Sequence, residues 1–417
     1  MSYFAVKGGA ELNGTAIVNG AKNSVLPILA ATLLNAGENV IHNCTELKDV
    51  ESAVKILRHL GCKIKREGKT LIVDSSVITR YDVPDALMRE MRSSVIFLGP
   101  IIARCGIARL STPGGCELGP RPINLHLDAL SKLGVEIKTE GGETYCVANN
   151  MRGREIVLSF PSVGATENII LAATACAGET KIVNAAREPE IEDLQNFLLK
   201  VGVKIKGAGE STITISPNRF ANRVEHTVMP DRIEAATYLC AVAACKGSIE
   251  IKNINPDHIA TVISNLQDAG CDIKTDSDSV MVSCSRRLNA MPSIQTMPYP
   301  GFPTDAQSPL MASACLASGV TVFKENIFEN RFRHTAELER MGAKIKVSGR
   351  TAIVEGVKKL NGANVRCTDL RGGAALVIAA LAADGESRID DVFHIDRGYE
   401  KIERAYSNLG GIIKRRE

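Results

Sequence analysis

Leu60-Gly61-Cys62-Lys63-Ile64-Lys65 sets the pattern by which the whole chain is read: an apolar residue, glycine, a variable pair, isoleucine and lysine. It returns as Leu133-Gly134-Val135-Glu136-Ile137-Lys138, Val201-Gly202-Val203-Lys204-Ile205-Lys206 and Ala269-Gly270-Cys271-Asp272-Ile273-Lys274. Met341-Gly342-Ala343-Lys344-Ile345-Lys346 and Leu409-Gly410-Gly411-Ile412-Ile413-Lys414 bring the count to six, with 68 to 73 residues between successive glycines. A near-constant period over 417 residues means one structural unit repeated.

Outward from each landmark the elements recur in one order. A short strand leads into an alanine-rich helix, as over 23–34, 94–103 and 166–177. A strand such as 38–43 or 180–184 follows, and then an amphipathic helix, as over 50–60 with Val50, Val54, Leu57 and Leu60 on one face. The landmark glycine is a helix C-terminal signal, and the next strand carries the lysines. The unit is therefore β-α-β-α-β, with room for one more strand. At about 70 residues it exceeds the solenoid repeats, so closed α/β domains are expected, three units in each. The boundary is expected in the polar segment 216–229, and the strand before Asn19 is expected to pair within the second half.

Composition narrows the class. An apolar fraction of 45% and a charged fraction of 23% are those of a globular protein, and with no tryptophan and 4% aromatics the core must be aliphatic. A net charge of +3 argues against nucleic acid as a partner. The longest uncharged stretch, near 308–323, contains three serines and falls short of a membrane span, and no signal peptide is read at the start. The twelve cysteines show no zinc-like spacing, and most lie in apolar runs, which suggests buried thiols in a reducing cytoplasm.

One cysteine differs. Cys116 sits in Ser111-Thr112-Pro113-Gly114-Gly115-Cys116-Glu117-Leu118-Gly119-Pro120-Arg121-Pro122, where three prolines and three glycines exclude regular structure. Such a loop is either a surface turn or a mobile lid that carries a thiol.

The charged residues fall in register with the repeat. Thirteen residues before a landmark glycine, where the second helix should begin, stand Lys48, Arg121, Asp257 and Arg397, with Arg331 two residues off. Thirty-seven to forty-two residues before it, where the first helix should begin, stand Lys22, Arg92, Gly164, Arg232, Asp305 and Arg371. A cation at a helix N-terminus opposes the dipole at a cost of up to about 1 kcal/mol, so a repeated one suggests an anionic ligand. Solvated surface charge is the alternative. By position alone Asp305 reads as an N-cap or first-turn carboxylate; its other reading is a general base among cations. No P-loop, GxSxG or HExxH motif occurs.

The ordered motifs Asn19-Gly20-Ala21-Lys22-Asn23, Pro113-Gly114-Gly115-Cys116, Ser162-Val163-Gly164-Ala165-Thr166 and Asn184-Ala185-Ala186-Arg187-Glu188-Pro189-Glu190 carry a resemblance. It continues through Phe302-Pro303-Thr304-Asp305, Phe328-Glu329-Asn330-Arg331-Phe332, Asp369-Leu370-Arg371 and His394-Ile395-Asp396-Arg397-Gly398-Tyr399. End to end, the chain resembles the UDP-N-acetylglucosamine 1-carboxyvinyltransferases, enolpyruvyl transferases of the first committed step of peptidoglycan synthesis. The resemblance implies two inside-out, barrel-like α/β domains of three β-α-β-α-β-β units each, one formed by 1–21 with 230–417 and the other by 22–229. It further implies a site between them over which the Cys116 loop closes. No cofactor, metal or obligate protein partner is implied.

The implied reaction joins phosphoenolpyruvate to the 3-hydroxyl of UDP-N-acetylglucosamine and releases phosphate. Lys22, Asn23, Arg121 and Arg397 would hold phosphoenolpyruvate, as Arg binds phosphate and carboxylate in a bidentate manner. The resemblance assigns Cys116 as the acid that protonates C3, and Asp305 as the base. Sugar-nucleotide contacts would come from Asn23, Arg92, Arg121, Pro122, Ile123, Asn124 and Leu125. Ser162, Val163, Gly164, Asp305 and Ile327 would add to them, with Lys48, Arg331, Asp369 and Arg371 in support. Fosfomycin is expected to alkylate Cys116. Phe160 stands where some family members carry lysine near the uridine, so that contact must differ here. The rivals are 3-phosphoshikimate 1-carboxyvinyltransferase, which shares the fold but lacks a loop cysteine acid, and a non-catalytic paralogue that binds UDP-N-acetylglucosamine.

Overall fold

The computed structural model describes residues 2–111, 123–217 and 223–417. At the six landmark glycines the backbone turns left-handed: φ is 111° at Gly61, 97° at Gly134, 99° at Gly202, 107° at Gly270, and 93° at both Gly342 and Gly410. Each follows the second helix of its copy, as Gly61 follows Lys48–Leu60 and Gly202 follows Pro189–Val201. A side chain in that region costs about 1–2 kcal/mol, which is why the landmark is glycine. The strand beyond it alternates: Ile205, Ile273 and Ile413 are buried while Lys206, Lys274 and Lys414 face solvent.

The described residues form six four-stranded sheets of one topology, and none of them closes into a barrel. In Asp82–Val83, Ile107–Ser111, Glu143–Ala148 and Val135–Glu140, the first pair is parallel and the other two are antiparallel. The unit is thus β-α-β-α-β-β, with the additional strand present in every copy. Three copies borrow a strand from a distant part of the chain. Tyr3–Lys7 fills an inner place of the last sheet, between Glu386–Asp390 and Ile412–Arg416. Leu12–Ile17 runs parallel to Gly247–Lys252, and Arg223–Thr227 parallel to Glu38–His42. The polar segment 216–229 therefore contains a strand of the first copy.

By compactness the chain divides into two units: Met1–Asn19 with Pro230–Glu417, and the described residues from Gly20 to Met229. In the first unit, the helices Arg232–Cys245, Thr304–Ala314 and Leu370–Ala382 pack on one another and are buried on nearly every side. A helix apolar all round belongs inside a core. Alanine, serine and glycine let the backbones approach, while each sheet covers the helices with one face and shows solvent the other. In the second unit Leu98–Cys105 packs on Val163–Ala173 so closely that a Cβ at Gly99 would lie 2.5 Å from the Asn168 carbonyl oxygen. The short helix Asp85–Glu90 and the 3-10 turns Pro256–Ile259 and Val392–Arg397 were not legible in the periodicity.

Within the first unit, the carboxylate of the buried Glu234 holds Asn19. It accepts from the Asn19 backbone N–H and side-chain amide, both at 2.9 Å, and from the Tyr238 hydroxyl at 3.0 Å. Burial raises the Glu234 carboxyl from 4.5 to about 7; Asp231 adds to the rise, while Asn19 and Tyr238 oppose it.

Gly270→Ala, where the nearest atom to the new Cβ would be 3.8 Å away, should lower stability by about 1 kcal/mol in urea unfolding. Gly61→Ala should cost at least about twice that, because its Cβ would meet the Thr79 backbone nitrogen at 2.9 Å; equal losses would refute the steric account. For Glu234 the folded pKa lies above the unfolded one, so stability is greatest below the unfolded value and falls as pH rises toward and through 7. From about pH 5 to about pH 8, wild type should lose on the order of 1–3 kcal/mol relative to Glu234→Gln. Parallel pH curves for the two proteins would be the contrary result.

Candidate functional site

In the first unit, charged side chains gather at the starts of the central helices. Asp305 is the second residue of Thr304–Ala314, whose N-cap is Pro303 with no side-chain cap bond. Asp305 is thus a first-turn carboxylate, one of the two places its position suggested, and not the N-cap. Arg331 Nη2 donates to Asp305 Oδ1 at 2.9 Å and Arg371 Nη2 donates to Oδ2 at 3.0 Å. The side chains of Arg331 and Arg371 are only 3% and 2% exposed, and a buried cation without an anion is far more costly than an uncapped helix end.

Asp369 caps Leu370–Ala382, accepting from the N–H groups of Arg371 and Gly372 at 3.0 and 2.9 Å. Burial works to raise its pKa, but Arg331, His334 and the Gly372 N–H outweigh it and hold the carboxyl below its ordinary value. Burial likewise opposes the Arg371 charge, and Tyr399, Asp305 and Asp231 more than offset it. A side chain at Gly372 is excluded: its Cβ would lie 2.6 Å from Asp369 Oδ2 and 2.8 Å from His334 Cβ.

Sequence reasoning missed His334, which carries no signal beyond its place in a Phe-Arg-His run. It is fully buried, and burial brings its pKa from 6.5 down to about 4, against the pull of Asp369 and with help from Arg331. The neutral ring sets Nδ1 3.2 Å from the Arg331 carbonyl oxygen, so the proton is assigned to Nδ1 and the ring anchors the Arg331 backbone. Tyr399 was also missed as a contact; its ring centroid lies 5.2 Å from the Arg371 guanidinium carbon.

Arg397 corrects another expectation. It ends the 3-10 turn Val392–Arg397, and the helix begins only at Ile402. Lys401, at φ 47°, separates the two, so Arg397 does not open a helix. Asp257 also lies in a 3-10 turn, whereas Lys48 does open Lys48–Leu60.

In the second unit, Lys22 opens Lys22–Ala31 with the half-buried Asn23 beside it, and its Nζ lies 3.0 Å from Oδ2 of the buried Asp49. The anion expected at the helix ends from a ligand is thus partly supplied from within, by Asp49 here and by Asp305 in the other unit. Ser162 caps Val163–Ala173, accepting from the Ala165 N–H at 3.4 Å. Gly164 faces His126, whose Cε1 would lie 3.1 Å from an added Cβ. The Asn168 amide donates to His126 Nδ1 at 2.7 Å, which places the neutral ring's proton on Nε2. Ile123 is the N-cap of Asn124–Lys132, with Asn124 and Leu125 in its first turn. Arg92 begins the 3-10 helix Arg92–Phe97. Cys116, Arg121, Pro122 and the Arg92 side chain lie outside the described residues.

A family model described as EPSP synthase (3-phosphoshikimate 1-carboxyvinyltransferase) matches residues 6–405. Among curated relatives, UDP-N-acetylglucosamine 1-carboxyvinyltransferase 2 of Caldanaerobacter subterraneus subsp. tengcongensis is 50% identical over the full length of both chains. UDP-N-acetylglucosamine 1-carboxyvinyltransferase 1 of Symbiobacterium thermophilum is 47% identical, over 99% of this chain and 95% of that one. Among solved structures, an enolpyruvyl transferase from Streptomyces tendae superposes with a TM-score of 0.89 at 25% identity, covering 99% of this chain and 98% of its own. EPSP synthase of Acinetobacter baumannii gives a TM-score of 0.74 at 17% identity over the full length of both, a likeness of fold alone. The chain therefore belongs to the enolpyruvyl transferase family and, within it, to the UDP-N-acetylglucosamine 1-carboxyvinyltransferases.

Proposed function

We propose that this enzyme transfers the enolpyruvyl group of phosphoenolpyruvate to the 3-hydroxyl of UDP-N-acetylglucosamine and releases phosphate, in the cytoplasmic stage of peptidoglycan synthesis. The observation that carries the reading is 50% identity over the full length to a relative of that activity. The Asp305 carboxylate between two guanidiniums supports it.

The chemistry runs by addition and elimination. The sugar 3-oxygen bonds to C2 of phosphoenolpyruvate while C3 gains a proton, giving a tetrahedral adduct. C3 then loses a proton and the C2–O bond to phosphate breaks, which leaves the enol ether. Cys116 would deliver the proton to C3; a thiol with an ordinary pKa near 8.5 is mostly protonated at neutral pH. Asp305 would take the proton from the 3-hydroxyl, release it to solvent, and in the elimination take a second from C3, while the Cys116 thiolate regains a proton from solvent. Arg331 and Arg371 fix the orientation of its carboxylate, so no rotamer search precedes the transfer. Lys22, Arg121 and Arg397 would neutralise the phosphate and carboxylate of phosphoenolpyruvate, with Asn23 beside them, as cations do best where water is excluded. Asn124, Leu125, Ser162, Val163, Gly164 and Ile327 would contact the sugar nucleotide.

Phosphate release from phosphoenolpyruvate should require UDP-N-acetylglucosamine, and the product mass should rise by one enolpyruvyl group. Release with shikimate 3-phosphate alone would point to the shikimate enzyme, and silence with both would point to the binding paralogue. Asp305→Asn, which keeps the side-chain shape, and Cys116→Ser should each lower kcat by at least about a hundredfold. Full turnover by either variant would remove that residue from the mechanism. Incubation with fosfomycin and UDP-N-acetylglucosamine should add the drug mass to the Cys116 peptide; an unmodified peptide would contradict the thiol's assigned place.

A further inference from the structure

Glu325 directly follows the strand Val320–Lys324 and carries no motif, yet its side chain gathers four hydrogen bonds in a position only 1% exposed. Oε1 accepts from the Thr296 hydroxyl at 3.0 Å and from the N–H groups of Ile327 and Phe328 at 2.8 and 2.9 Å. Oε2 accepts from the Thr304 hydroxyl at 3.0 Å. The Thr296 hydroxyl in turn accepts from the Asn326 N–H at 2.9 Å, and the Asn326 amide donates to the Thr296 carbonyl at 3.0 Å.

We propose that Glu325 is a positioning residue that sets the helix start bearing Asp305 and the loop bearing Ile327 as one rigid piece. The deduction rests on the general-base role of Asp305 and the sugar-nucleotide contact of Ile327 given under the proposed function. Thr304 is the first residue of its helix, and the N-cap, Pro303, offers no side-chain acceptor. Thr304 is held instead from both sides: Glu325 takes its hydroxyl, and Arg331 donates to its carbonyl at 3.2 Å. The same Arg331 holds Asp305. A carboxylate accepts from two hydroxyls and two amides at once without needing a cation, and a fully satisfied buried network of this kind is rigid. Loss of the carboxylate frees Thr304 on one side and the turn 325–328 on the other. A displacement of about 1 Å in reacting groups costs roughly a hundredfold in rate.

The chemistry of the four donors separates two substitutions. In Glu325→Gln the amide oxygen can keep the three donors now on Oε1, and the amide nitrogen can donate to Thr304, whose hydroxyl reverses its role. Glu325→Ala has no such escape. Steady-state phosphate release should show Glu325→Ala with kcat/KM for UDP-N-acetylglucosamine lower by roughly ten- to a hundredfold, with the KM for phosphoenolpyruvate changed less than about twofold. Glu325→Gln should recover most of that loss. Thr304→Val, which removes only the hydroxyl, should lower kcat in the same direction and leave the Ile327 side intact, so its KM for the sugar nucleotide should hold. The overturning result is a Glu325→Ala protein that unfolds at a lower temperature yet keeps the kcat and both KM values of wild type per folded molecule, for that is a purely structural role. Equal rises in the KM values of both substrates would also overturn it. If wild type itself shows no turnover with UDP-N-acetylglucosamine, the functional reading fails, independently of Glu325.

Discussion

Two guanidiniums that have lost almost all their water share the carboxylate of Asp305, and much of the first unit is arranged around keeping that affordable. Arg371 is held by its place in the first turn of a helix capped by Asp369, and Arg331 by the Thr304 carbonyl and by the buried ring of His334. Because the ring is neutral, it adds no third positive charge beside the pair. Gly372 is required where the cap, the ring and the helix converge, since even a methyl group would overlap Asp369 and His334. A single carboxylate thus ties together helix starts from the fifth and sixth copies and the loop that follows the strand Val320–Lys324.

The repeat explains how such a cluster arises. Each copy buries a largely apolar helix, and the three central helices of the first unit pack on one another. In register, their first turns carry Arg232, Asp305 and Arg371. In a scaffold of equivalent helices, equivalent positions supply the anion Asp305 and the cation Arg371, while Arg331 comes from the loop before Thr335–Arg340. In the second unit Lys22, at the start of one helix, meets Asp49 in the first turn of the next, 3.0 Å away. The electrostatic cost of a cation at a helix N-terminus is met there by a carboxylate rather than by solvent.

Much of the fold was legible because its determinants are local. The landmark glycines mark left-handed helix ends, and the Ile-Lys alternation beyond them marks a half-buried strand. The apolar stripe Val50, Val54, Leu57 and Leu60 lies on a helix that is indeed amphipathic, with all four buried. Less was legible at the site. Offsets from the glycines located Lys22, Arg232, Asp305 and Arg371 correctly in first turns but misplaced Arg397, because a left-handed Lys401 interrupts the helix that periodicity continues. Glu325 and His334 left no trace in the pattern, since each acts through contacts with residues that no period relates to it.

The repeat, the alternation of helix and strand, and the family to which the chain belongs can be read from the amino-acid sequence. These depend on backbone preferences and on apolar spacing within a few residues. Folding alone settles that Tyr3–Lys7 completes the last sheet, that Arg223–Thr227 belongs to the first, and that Asp305, in the first turn of its helix, answers two buried arginines. The reason is physical: strand partners and counter-ions are chosen by what burial leaves unsatisfied, and burial is a property of the folded chain rather than of any stretch of it.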